Sequence, residues 1–350
     1  MESYSITILA ILFLIAGSLI WIAGINLAKS TQTIDTRFKL GDALGGLILL
    51  GIATSLPEIA ITVSAALTNH ISVIIGNLIG GIAIQTLVII IFDFLIKGKR
   101  PISYLTGSVI LTFEALFVIV MSLITIVASF YPKNYTVLNI NPLSAILLIS
   151  WILGLIAIDK IRLIPRFNII AHDTSPGRKH HERRAKNEHP VFLGKSNAYV
   201  ISIFILAALV TLGAGVLLEE TGVAIATKLN INAGIFAATV IALVTALPEI
   251  STGIESIRIK DNLLAVSDIF GGNSFMPALF IVADILAAKP VLTFMVKSDY
   301  LLVIMGILMT SVYAVAYLVR PKKRYFRLGI DSWLVLLIYA VGIFCLLYIP

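Results

Sequence analysis

Apolar stretches of helical length succeed one another along this chain, separated by short polar connections. Within each stretch the apolar positions are continuous instead of alternating. That is the pattern of a helix surrounded by hydrocarbon or by other helices, and not of a barrel strand. Spans are predicted near residues 5–27, 41–68, 71–96, 103–128, 142–159, 198–218, 232–257, 261–288, 299–319 and 330–349. A helix of about 20 apolar residues crosses roughly 30 Å of hydrocarbon. The expectation is an all-α membrane protein with ten transmembrane helices. The opening residues, MESYSITILA, lack the basic start of a cleaved signal, so the first apolar segment is expected to remain as a helix.

The connections differ in charge. The odd-numbered ones hold 22 of the 26 Lys and Arg, whereas the even-numbered ones hold Lys133, Lys228, Lys289 and Lys297. Basic connections stay on the cytoplasmic side, which predicts a multi-pass protein of the plasma membrane with both termini outside. The longest connection, 161–197, is read as a cytoplasmic linker between a first five-helix half, 1–160, and a second, 198–350. Within it, HDTSPGRKHHERRAKNEH carries four of the five histidines. A solvated basic linker near anionic lipid is the favoured reading over a metal or pH sensor. Asn134 heads a glycosylation sequon in an outward connection.

Composition agrees. Only 13% of residues are charged and the mean hydropathy is +1.01, against about 25% charged in soluble domains. The net charge of +7 then follows from topology, and no nucleic-acid partner is expected. The single cysteine, Cys345, excludes an internal disulfide.

Two stretches break the apolar pattern in the same way, IATSLPEIAI at Ile52–Ile61 and LVTALPEIST at Leu243–Thr252. An offset of 191 residues superposes them without a gap, with Thr54 on Thr245, Pro57 on Pro248 and Glu58 on Glu249. The register continues to Gly80 and Gly81 on Gly271 and Gly272, and to Asp93 on Asp284. We read a gene duplication. Five spans per half is an odd number, so the second copy is inserted upside down, the inverted-repeat plan of many secondary transporters. Glu58 and Glu249 lie near the middle of their spans, where an ionised side chain costs on the order of 2.5–3.5 kcal/mol on insertion scales. Each follows a proline, which removes one N–H and frees the carbonyl four residues back, that of Ala53 or Val244. Carboxylate, freed carbonyl and the hydroxyl of Thr54 or Thr245 make a cluster of hard oxygens suited to Ca²⁺ or Na⁺.

The following span of each half supplies a second wall. Asn77, Gly81 and Gln85 share one helix face at a spacing of four, and their repeat mates are Asp268, Gly272 and Met276. Asn273 and Ser274 add further oxygens, and the glycine pairs are expected to allow close helix approach. Asp93 and Asp284 are read as structural acids near the hydrated membrane faces. Glu114 is a candidate proton relay, Glu219 and Glu220 are placed at an outer mouth that attracts cations, and His70 is structural. Two carboxylates balance one divalent cation, two Na⁺ or two protons. The reading is therefore a secondary active antiporter, exchanging Ca²⁺ or another divalent cation for Na⁺ or H⁺ by alternating access. Its alternatives are a monovalent cation/proton antiporter and, less favoured, a receptor or an enzyme. No resident cofactor and no obligate protein partner are expected; inorganic cations and the lipid bilayer are the partners.

The stretches GIATSLPEIAITVSA and ALVTALPEISTGIES resemble the two alpha repeats of the sodium/calcium exchanger family, within the cation/Ca²⁺ antiporter superfamily. The resemblance implies a central four-helix site where Ca²⁺ and Na⁺ compete for the two glutamates. It also implies access changed by two sliding helices, the first and sixth spans. By resemblance, Glu58 and Glu249 are the bidentate core ligands, with hydroxyl or carbonyl oxygens from Thr54, Ser55, Thr245 and the backbone of Gly51 and Ala242. The chain departs from the family's second signature, which is similar to Gly-Ser-Asn-x-x-Asn or Asp. Its serine positions are Gly81 and Gly272, its amide or acid positions are Gln85 and Met276, and Ala246 replaces the serine before Leu247. The second half has thus lost an acid and two hydroxyls, and Asp268 is the residue placed to restore a charge.

Overall fold

The computed structural model describes residues 1, 3–38, 49–132, 140–162, 192, 194–258, 260–346 and 348. The start of the second span, the Asn134 sequon and nearly all of the His-rich linker lie outside these residues. In the first half, α1 (Ile6–Phe38) is followed by a broken span, α2 (Leu49–Thr54) and α3 (Leu56–Leu67). Then come α4 (Ile71–Leu95), the short α5 (Ile102–Thr106), α6 (Val109–Ser129) and α7 (Pro142–Arg162). The second half opens with α8 (Asn197–Lys228). Its broken span comprises α9 (Ala233–Phe236), a π-helical turn (Ala237–Ile241), α10 (Ala242–Thr245) and α11 (Leu247–Arg258). After it run α12 (Asn262–Phe275), a 3₁₀ turn (Met276–Leu279), α13 (Phe280–Ala287) and a second 3₁₀ turn (Val291–Phe294). The chain closes with α14 (Lys297–Val319), a two-residue hairpin (Arg324–Tyr325 with Leu328–Gly329) and α15 (Ile330–Leu346).

Seven helical segments among the described residues are long and apolar enough to cross a membrane, and three shorter apolar helices accompany them, at Leu56–Leu67, Pro142–Ile158 and Ile330–Leu346. Large apolar side chains line the outer surfaces of several: Leu14, Leu153, Leu206, Leu209 and Val319 are each at least 60% exposed. Patches of this extent are untenable in water and are what hydrocarbon requires. The protein is an integral, multi-pass membrane protein.

Burial separates centre from periphery. In the apolar stretch of α4, 72% of residues are buried, against 28% in α8. Helices α1 and α8 lie along one another on the outside, and α8 also packs on α3. Inside them α3, α4, α11 and α12 meet, with α6 and α14 closing the opposite flank. Polar caps set the registers: Ser196 accepts from Tyr199 N–H at 3.2 Å, Asn232 from Gly234 N–H at 2.9 Å and Asp261 from Leu264 N–H at 3.1 Å. Each satisfies one of the donors that a helix start leaves open.

Close approach is decided by Gly76 and Gly80, one turn apart on α4. A Cβ at Gly76 would collide with the Gly234 backbone, and one at Gly80 with the Ala238 backbone inside the π turn. The packing expected of the glycine pairs therefore holds at Gly80. It does not hold at its mate Gly271, where a Cβ would meet nothing within 4 Å.

Candidate ion-binding site

Pro57 and Pro248 are the second residues of α3 and α11, where a missing N–H interrupts little of the new helix. The break before each is a single residue. Ser55 sits at φ −83° and ψ 9°, and Ala246 at φ −76° and ψ 0°, so both halves turn the chain through one conformation. The carbonyls just upstream are engaged. Gly51 accepts from Ser55 N–H at 3.1 Å and from the Thr54 hydroxyl at 3.2 Å. Ala242 accepts from Ala246 N–H and from the Thr245 hydroxyl, each at 3.1 Å. With two bonds each, these two oxygens are already engaged.

Glu58 and Glu249 are both 0% exposed. The Gln85 amide on α4 joins them: its Nε2 donates to Glu58 Oε1 at 3.3 Å and to Glu249 Oε1 at 3.4 Å. The hydroxyls cross over, Thr245 facing Glu58 and Thr54 facing Glu249. Four oxygens gathered around this bridge, Ser55 Oγ, Glu58 Oε2, Gln85 Oε1 and Glu249 Oε2, are buried without a hydrogen-bond partner. Burying carboxylate oxygens unpaired is costly, and a hard cation is the partner that would satisfy several at once. Among the described residues no three His, Cys, Asp or Glu side chains converge on a metal. The centre therefore carries two acids, and the rest of a coordination shell would come from neutral oxygens.

The other sequence-derived residues scatter around this core. Asp268, on α12, accepts from Thr252 Oγ1 at 2.8 Å. The same hydroxyl lies 3.1 Å from the Glu249 carbonyl oxygen, which ties Asp268 to the turn that follows Glu249. Asn77 is fully buried, and neither of its amide atoms has a hydrogen-bond partner. Asn273 donates to Thr86 Oγ1 at 3.0 Å, and Ser274 bonds back to the Gly271 carbonyl at 2.8 Å; neither bond goes to a glutamate. Thr252 was not legible as a site residue, because its repeat mate is Ile61. Its only signal was a spacing of three from Glu249.

Three acids outside the core differ from expectation in environment. Asp93 and Asp284 are fully buried and not hydrated. Asp93 accepts from Ile102 N–H at 2.8 Å, Gly329 N–H at 2.6 Å and Ser332 Oγ at 2.8 Å. Asp284 accepts from Val291 N–H at 2.7 Å and Asn141 N–H at 3.0 Å. They are structural, but as staples for open backbone donors. Glu219 does not line a wet mouth. It is 0% exposed, and it accepts from Ser64 Oγ at 2.9 Å and pairs with His70 Nδ1 at 2.6 Å. Glu114 takes a bond from Ser267 Oγ at 3.0 Å.

Together, fold and site define a repeat-built helical membrane protein with a two-carboxylate polar centre. The family model described as sodium/calcium exchanger protein matches residues 8–158 and 199–348, and the chain belongs to that family. A curated relative, the sodium/calcium exchanger MaX1 of Methanosarcina acetivorans, is 31% identical over 78 residues, which is 22% of this chain and 21% of the relative. Solved structures share the fold over nearly the whole chain. The H⁺/Ca²⁺ exchanger CAX aligns with a TM-score of 0.63 at 11% identity, covering 97% of this chain and 86% of that one. The sodium-calcium exchanger NCX_Mj aligns at 0.59 with 17% identity, covering 97% and 99%.

Proposed function

We propose that the protein is a secondary active antiporter that exchanges Ca²⁺, or another divalent cation, for Na⁺ or H⁺ through the Glu58–Glu249 centre. One observation carries the reading. Carboxylates from the two repeats meet at a single amide, and one oxygen of each, with Gln85 Oε1 and Ser55 Oγ, has no hydrogen-bond partner. Ca²⁺ takes about six to eight oxygens in adaptable geometry. Two carboxylates, the Thr54, Ser55 and Thr245 hydroxyls and the Gln85 carbonyl make up such a set. The pair's two negative charges balance one divalent ion or two monovalent charges, of which a carboxyl proton can be one, and that is the arithmetic of exchange.

Family membership, and the exchange for which CAX, NCX_Mj and MaX1 are named, support cation exchange over an enzyme or a receptor. Alternating access would proceed by sliding of α1 and α8, which lie along one another on the outside, across a ten-span scaffold of two inverted halves, 1–160 and 198–350, joined by the linker 161–197. The asymmetry of Lys and Arg supports both termini outside, in the plasma membrane.

The test is flux of radiolabelled Ca²⁺ into proteoliposomes under imposed Na⁺ or H⁺ gradients. Gradient-driven uptake is expected in wild type and none above background in E58Q or E249Q, with both variants eluting as folded protein. Wild-type rates in either variant would refute the reading. Gradient-driven Na⁺/H⁺ exchange without Ca²⁺ uptake would select the monovalent antiporter instead.

A further inference from the structure

The two halves of the centre are related by position but not by chemistry. Gln85 and Met276 are repeat mates, and so are Gly81 and Gly272, and Ser55 and Ala246. In the structure each long side chain leans over the glycine of the other helix. A Cβ on Gly272 would lie 3.1 Å from Gln85 Oε1 and 3.9 Å from Ser55 Oγ. A Cβ on Gly81 would lie 2.8 Å from Met276 Sδ and 2.9 Å from its Cε. Gln85, which bonds both glutamates, thus shares its side of the centre with a hydroxyl, whereas the repeat-related positions hold the Met276 thioether, over Gly81, and the methyl of Ala246. Met276 and Ala246 are both 0% exposed.

We propose that Met276 is a specificity-determining residue: its thioether fills the room over Gly81 and leaves the centre a single cation position, on the Gln85–Ser55 side. The physical reason is ligand hardness. Ca²⁺ and Na⁺ coordinate oxygen, and a thioether is a poor donor to either. A cation drawn between Glu58 and Glu249 is held off-centre, where the amide and hydroxyl oxygens complete its shell. A second cation on the Met276 side would meet sulfur and methyl groups and would keep only the carboxylate oxygens already shared. Volume enters as well: the missing side chain at Gly81 is what admits the methionine, since a Cβ there would lie 2.8 Å from its sulfur. The role of Met276 is exclusion by filling, not ligation. This inference rests on the exchanger reading only in taking the two glutamates as the cation centre; it makes a separate claim about how many cations they hold.

The decisive variant restores oxygens to the apolar side. A246S/M276Q gives the second half the residues that the first half has at Ser55 and Gln85, and Gly81 leaves room for the new amide. Cations bound at saturation are counted by equilibrium dialysis of the purified full-length chain against radiolabelled Na⁺ and, separately, radiolabelled Ca²⁺. The expected result is one more Na⁺ per chain in A246S/M276Q than in wild type. M276L, which keeps the volume and removes the sulfur, is expected to match wild type in both counts. Equal Na⁺ counts in wild type and A246S/M276Q overturn the proposal, and so does loss of Ca²⁺ binding in M276L, which would make the sulfur a ligand. If the double variant aggregates, M276Q alone is read by the same criterion. A wild type that binds no Ca²⁺ would defeat Ca²⁺ as the exchanged ion, while the difference in Na⁺ count would still decide the present claim.

Discussion

A glycine can matter through what its missing side chain lets another helix do, and Gly80 and Gly271 separate this from mere membership in a repeat. At Gly80 the π turn of the second half reaches the α4 backbone, so a methyl group has nowhere to go. The obstructing atoms are main chain and cannot rotate away. Gly80→Ala is expected to cost about 1–3 kcal/mol, the range for overpacking a dense interior, and to lower the thermal midpoint in detergent. Gly271→Ala adds its methyl to open space. It is expected to be neutral or to stabilise by about 0.5–1 kcal/mol, since alanine suits a helix interior better than glycine. Equal effects at the two positions, measured by thermal unfolding, would show that the crossing of α4 with the π turn is not tight.

At the scale of elements, the contact between α8 and the α3–α4 turn has its own fastening. Glu219 on α8 is buried, and its two oxygens are bonded by Ser64, near the end of α3, and by His70, in the turn itself. Removing either partner leaves a buried polar group short of a hydrogen-bond partner. His70 is 38% exposed, so water recovers part of the loss. His70→Ala is expected to destabilise by about 1–3 kcal/mol, and Glu219→Gln by a similar amount. In a double-mutant cycle the two effects should fall short of additivity, because both remove one interaction. Full additivity in unfolding measurements would mean that the pair contributes nothing beyond its parts. Because α8 lies on the periphery and α3 carries Glu58, this fastening joins an outer helix to the two-glutamate centre.

For the whole molecule, the segregation of Lys and Arg makes an accessible prediction about sidedness. In a C345A background, a cysteine replacing Lys99 is expected to resist a membrane-impermeant maleimide in intact cells and to react after lysis. A cysteine replacing Lys297 is expected to react in intact cells. The reverse pattern would invert the topology and place both termini inside.

How much of this was legible beforehand depended on the kind of interaction involved. The helices were readable because hydrocarbon forces each span to satisfy its own backbone, so a continuous apolar run suffices to predict one. Glu58 and Glu249 stood out because an acid in an apolar run is costly and because the chain does it twice. Equivalence under a sequence offset, however, says nothing about reach. Thr54 faces the glutamate of the other half, Gln85 bridges both, and Met276 covers Gly81, because helix crossings bring repeat mates past one another and not side by side. The same blindness misplaced Glu219 at a wet mouth and gave Asp93 and Asp284 to water. Hydropathy along a chain is a local property, whereas burial and hydrogen-bond partners are set by which helix arrives next to it. Helix identity and the paired acids were thus written in local composition and internal repetition. The meeting of Glu58 and Glu249 at Gln85, and of Met276 with Gly81, exists only once the helices converge, since the distances that create them are fixed by packing.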